Sequence, residues 1–138
     1  MTPRLHNGPH ITPIRTPIGE ARLESGILWH VIDPTTRVHE EQARKTVVTL
    51  AELISRAGVK CLPAVVDMRG VAFADRAARK VFANDVSFES ATALIVESSV
   101  SSALGNAYLR MSRPSRPTKL FTSTAKARDW ALGYLPVD

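Results

Sequence analysis

Two short runs in this 138-residue chain, Ala64-Val65-Val66 and Leu94-Ile95-Val96, are apolar at consecutive positions. A strand with one wet face alternates apolar and polar residues, so runs of this kind belong to strands covered on both faces. Each is followed by residues with helical spacing: Ala78, Val81 and Phe82 after Asp75, then Leu104, Ala107, Tyr108 and Met111 after a serine cluster. Strands that alternate with helices pair in parallel through right-handed crossovers. This pairing of buried strand and amphipathic helix restricts the chain to a layered α/β fold.

The remaining elements fit that frame. Residues 20–24 and Ile27–Ile32 read as two strands joined at Ser25-Gly26, a two-residue hairpin signal. Asp33-Pro34-Thr35-Thr36 then breaks the strand. From Glu40 to Ala57 the apolar residues Ala43, Val47, Leu50, Ile54 and Ala57 recur at steps of four and three, which predicts a helix with His39 at its cap and Gly58 as terminator. Leu62–Asp67 is a strand with Pro63 near its start, and Ala91–Glu97 is another. Arg113-Pro114-Ser115-Arg116-Pro117 ends the third helix, Lys119-Leu120-Phe121 is a short strand, and a last helix aligns Ala127, Trp130, Ala131, Tyr134 and Leu135. The predicted order is ββαβαβαβα, a mostly parallel five-stranded sheet with an antiparallel N-terminal edge strand, forming one domain over residues 19–138. Residues 1–18 carry Pro3, Pro9, Pro13 and Pro17 and read as an extended arm whose Ile11, Ile14 and Ile18 need a groove to fill.

Composition narrows the function classes. At 44% hydrophobic and 22% charged the chain is ordinary for a globular domain. No apolar run approaches the ~20 residues of a bilayer span, and the N-terminus lacks the apolar core of a secretory signal. Cys61 is the single cysteine, so neither an internal disulfide nor a cysteine zinc cluster can form. A cytoplasmic protein is the simplest reading. The net charge is +5, and six bases (Arg110, Arg113, Arg116, Lys119, Lys126 and Arg128) lie between Glu97 and Asp129 with no intervening acid. That asymmetry raises the question of an anionic partner.

The segment from Val65 to Ala78 carries a resemblance. Asp67 at a strand end, the Gly70-Val71 turn, Phe73 and then Asp75 at a helix start follow the order of the signature of STAS domains, the anti-sigma-factor-antagonist (SpoIIAA-like) type of module. The closing Leu120-Phe121-Thr122-Ser123, Ala127 and Trp130-Ala131 is similar to the tail of small bacterial STAS-like proteins. In that family an Asp-Ser pair opens the helix and the serine is phosphorylated, which adds nearly two negative charges at a helix N-terminus. Here Arg76 and Ala77 stand where the hydroxyls are expected, so the resemblance implies the fold without the phospho-switch.

Each candidate group has a bland counterpart. Asp67 and Asp75 can be read as a carboxylate pair, or as a loop tie and a helix cap, for which the local spacing suffices. Arg69, Arg76 and Arg79 then form a partner surface or a solvated face. Ser98, Ser99 and Ser101 open a helix after a parallel strand and can hold an anion, or simply cap. Arg110, Arg113, Arg116 and Lys119 recur every three residues, as an anion-contacting stripe or as compensation of a helix C-terminus. No aromatic residue interleaves with them, which argues against a stacking platform for single-stranded nucleic acid. His6, His10, His30 and His39 show no ligand spacing, His30 reads as a core or edge histidine, and Cys61 as an inert thiol.

The leading expectation is therefore a non-enzymatic, regulatory STAS-like module that binds a protein partner around Asp75, with no cofactor, metal or catalytic residue. A binder of a small anionic ligand (nucleotide, metabolite or lipid head group) at the Ser98–Ser102 helix start is the alternative, and nucleic-acid binding through residues 110–128 ranks third. If the helices pack on one face of the sheet, the apolar other face calls for the N-terminal arm or a second copy of the chain, hence a homodimer.

Overall fold

Ser25 and Gly26 take φ values of 56° and 80°, the left-handed pair that a tight hairpin of native twist requires. They join β2 (Gly19–Glu24) to β3 (Ile27–Ile32) in antiparallel register, Leu23 facing Leu28. The computed structural model describes residues 11–136. In chain order the other elements are β1 (Ile11–Thr16), β4 (Thr36–Val38), α1 (Glu40–Arg56), β5 (Leu62–Asp67), β6 (Val71–Ala74), α2 (Arg76–Asn84), β7 (Glu89–Ile95), α3 (Ser99–Ala107), a π-helical turn (Tyr108–Ser112), β8 (Thr118–Phe121) and α4 (Thr124–Leu132). No helix among the described residues is long and apolar enough to cross a membrane.

The main sheet has six strands in the order β1-β2-β3-β5-β7-β8, parallel from β3 to β8 and antiparallel at the β1–β2–β3 edge. The sixth strand comes from residues 11–16, part of the stretch expected to be an arm. Its pairing slips between Ile11 and Ile14, where Pro13 sits. An edge strand with a local irregularity is where a proline's missing donor costs least.

One face of the sheet packs against α1, α2 and the segment from α3 through the π turn. There Leu28, Ala64 and Leu23 meet Leu50, Leu53 and Ile54 of α1, while Ile32, Leu94 and Val96 meet Val81 and Tyr108. Thr46 of α1 is also buried, a position whose hydroxyl hides it from an apolar-period reading. On the opposite face Ile27, Val65, Ala93 and Ile95 are sealed by Ala127 and Ala131 of α4, flanked by Trp29, Phe121 and Trp130.

This corrects the expectation about the second face. The C-terminal helix, and not the arm, covers its centre over Ile27, Val65, Ala93 and Ile95, while Val31 farther along β3 on the same face stays exposed. Ile14 and Ile18 instead pack on the α1 side. Pro17 ends β1 at a tight reversal that turns Ile18 inward.

The two-stranded ribbon β4–β6 was not foreseen. It runs parallel, Arg37 beside Phe73 and Val38 beside Ala74. Gly70 makes it possible: a Cβ there would lie 2.3 Å from the carbonyl oxygen of Asp33 and 2.6 Å from that of Ile32. Because each ribbon strand runs directly into a helix cap, the ribbon sets the starts of α1 and α2 side by side.

Candidate functional site

The paired helix starts are the place where local chemistry and exposure coincide. Asp75 caps α2, its Oδ1 accepting the Ala78 N–H at 2.8 Å. That bond is the main reason its carboxyl is held below the usual aspartate range, with His39 and Arg79 adding to it. Its other oxygen lies 3.1 Å from Nδ1 of His39, the residue capping α1, whose own N–H donates to Gln42 Oε1 at 3.0 Å. The Asp75 N–H donates to Val38 O at 3.1 Å, locking the two caps together.

Of the four residues expected at a partner surface, the structure keeps two on the helix-start surface. Arg76, the first residue of α2, is exposed and makes no hydrogen bond or ion pair with any described residue. Arg79 turns inward: it is half-buried, and its Nη1 donates to the Ala74 carbonyl at 2.6 Å. Arg69 is exposed but committed, forking onto Asp67 at 2.7 and 2.9 Å and reaching Glu97 at 3.6 Å. Asp67 is thus a loop tie. Burial works to raise its pKa, and the Arg69 hydrogen bonds outweigh that and lower it. A residue not singled out from the sequence joins the surface: Arg37 of β4 lies 4.6 Å over the ring of Phe73. Its cue was absent, because the ribbon pairing that brings it there spans residues far apart in the chain.

The serine cluster is self-satisfied. Ser98 caps α3, accepting the Ser101 N–H at 3.1 Å, and the fully buried Ser101 hydroxyl accepts from the N–H groups of Glu97 and Ser98 at 3.0 and 3.1 Å. Ser99 is exposed.

The basic segment does not form one stripe. Arg110, Arg113 and Lys119 are exposed, Lys119 over the ring of Phe121 at 5.5 Å, while Arg113 adopts φ 49° to end the π turn. Arg116 is buried, its side chain 7% exposed. Its Nε donates to Thr92 Oγ1 at 2.6 Å and lies 3.3 Å from Glu89 Oε1, and its Nη2 donates to Phe82 O and Tyr108 Oη, both at 3.1 Å. The Thr92 hydroxyl in turn donates to Glu89 Oε1 at 2.6 Å. Burial pushes the Glu89 carboxyl up against the pull of Arg116, and pushes the Tyr108 hydroxyl up to about 12. This ion pair joins the loop before β8 to the start of β7, 27 positions apart in the chain, so no local pattern announces it.

His30 is 3% exposed beside the Thr16 hydroxyl at 3.0 Å, and burial lowers its pKa to about 4. Cys61 is half-buried, its thiol pushed up by burial. Among the described residues no three His, Cys, Asp or Glu side chains converge as a metal site.

The strand order and the helical layers give a STAS-like α/β fold. An uncharacterised protein of the DUF3478 family from Shewanella loihica, which has a SpoIIAA-like fold, superposes with a TM-score of 0.54 at 15% identity, covering 91% of this chain and 94% of that one. Residues 21–135 match the model of a domain of unknown function, DUF7793, and the chain belongs to that family. No curated protein matches it.

Proposed function

We propose that this chain is a non-enzymatic, regulatory STAS-like module that recognises an acidic segment of a protein partner with the paired starts of α1 and α2. The observation that carries this reading is Arg76. A cation on the first residue of a helix sits at the positive end of the dipole, where it is disfavoured by about 0.3–1 kcal/mol. Nothing among the described residues offsets that cost. The nearby acids are engaged elsewhere: Glu40 with Arg44, Glu41 with Lys45, and Asp75 with its cap and His39. With Arg37 on the neighbouring strand, the exposed surface offers cations at two helix N-termini, which suits carboxylates from another molecule. The STAS pattern places its regulated serine where Arg76 stands, so recognition here is constitutive and not switched by phosphate. Since α4 seals Ile27, Val65, Ala93 and Ile95 on the second sheet face, that face gives no ground for a second copy of the chain, and the proposed partner is a different protein.

The test is quantitative capture from the native host with wild type and R76A side by side. The variant should keep or slightly raise the unfolding midpoint and lose the wild-type-enriched partner. An unchanged capture profile would refute the proposal.

A further inference from the structure

Between the sheet and its helical layer lies a cavity of about 110 Å³. Most of its wall is apolar, including Val66 and Leu94 from the sheet and Phe82 and Leu104 from the helices. Into that wall are set Arg79, Arg116, Glu89, Thr92, Tyr108 and His30. A hydrophobic cavity with a few convergent polar groups is the usual form of a small-molecule site.

The charges in the wall do not balance. Arg116 has Glu89 as its carboxylate, but Arg79 forms no ion pair with any described acid, and His30 is neutral near pH 7 because burial lowers its pKa. Asp75, whose carboxylate feels Arg79, spends its oxygens on the Ala78 N–H and His39. Both guanidinium groups also keep an unpaired, buried nitrogen, Nε of Arg79 and Nη1 of Arg116. Buried donors are almost always paired, and each exception calls for an explanation. Two such exceptions on cations that line one cavity fit an anionic group that the fold itself does not supply.

We propose that this cavity binds a short-chain monocarboxylate, its carboxylate meeting the guanidinium groups of Arg79 and Arg116 and its alkyl tail lying against Val66, Leu94 and Leu104. Size sets the class. The cavity is smaller than the ~150 Å³ that admits a benzene ring of six heavy atoms, so a carboxylate with a tail of about two or three carbons is the upper limit, and a nucleotide or long acyl chain does not fit. This inference stands apart from the surface at Arg76.

The probe is sodium butanoate, titrated into the 138-residue chain with backbone and methyl NMR detection, with butan-1-ol as the neutral match. Butanoate should saturate with Kd of about 1 mM and shift Val66, Leu94 and Leu104, and butan-1-ol should bind about tenfold more weakly. Filling the space with L104F should abolish both. R79M should bring butanoate down to the level of the alcohol while leaving alcohol binding in place, a control that the variant is folded. The wild-type comparison decides the matter even if R79M fails to fold. No saturable shift, equal binding of alcohol and acid, or shifts confined to the exposed bases would overturn the proposal, leaving a cavity that serves packing or water alone.

Discussion

Acid should unfold this protein through one histidine more than through any other identifiable group. His30 is 3% exposed on β3, and its pKa falls from 6.5 to about 4 because burial disfavours the charged ring; Asp33 pulls it up and Arg15 pushes it down, both more weakly. A depressed folded pKa means that the stability His30 contributes is intact above the unfolded value and is lost as pH falls through the folded one. At 1.36 kcal/mol per unit, the gap amounts to about 3 kcal/mol. About 1 kcal/mol of that should be gone by about pH 5.5 and nearly all of it somewhat below pH 4. Against a total of roughly 5–15 kcal/mol for a domain this is a large fraction. Urea unfolding of wild type and H30Q across that range isolates the effect, because the carboxylates, including Glu89 with its opposite sign, titrate in both proteins. The wild-type advantage over the variant should shrink by about 3 kcal/mol between neutral and acid conditions. A difference that stays constant with pH, or a His30 ring that titrates near its ordinary value by NMR, would refute the reasoning.

Two further outcomes follow from the geometry. E89Q leaves the buried Arg116 without its carboxylate and should cost about 3–5 kcal/mol by calorimetry or denaturant unfolding, whereas E89M/R116M, which removes both charges, should recover most of that. G70A places a methyl group against the fixed backbone of Ile32 and Asp33 at the mouth of the β4–β6 ribbon; it should lower stability by more than about 2 kcal/mol and loosen hydrogen-exchange protection at Val71 and Asp75.

What could be read from the sequence was what is decided locally. The Ser25-Gly26 turn, the α1 periodicity, the Asp75 and Ser98 caps and the Asp67 loop tie each depend on residues within a few positions of one another. What escaped depends on distant partners. β4 and β6 are three and four residues long, too short to show a period, and they exist because they pair with each other. Arg116 sits between prolines in a basic, polar stretch and so reads as solvated. Only the parallel pairing of β7 with β8 carries it over Thr92 and Glu89. Arg79 shares a helix with Arg76 but lies one turn further on, where the ribbon carbonyl of Ala74 draws it inward. Periodicity identified the apolar face of α4 yet could not say which side of the sheet it would cover.

Recognition at the helix starts is the claim on which the functional account rests, and proximity tests it most directly. A photo-crosslinking residue placed at exposed Ala72, on the ribbon strand that leads into the start of α2, should yield one discrete adduct in the native host. The same residue at Lys126 on α4, across the sheet, should yield none. Adducts of equal strength at both positions, or none at Ala72, would contradict it.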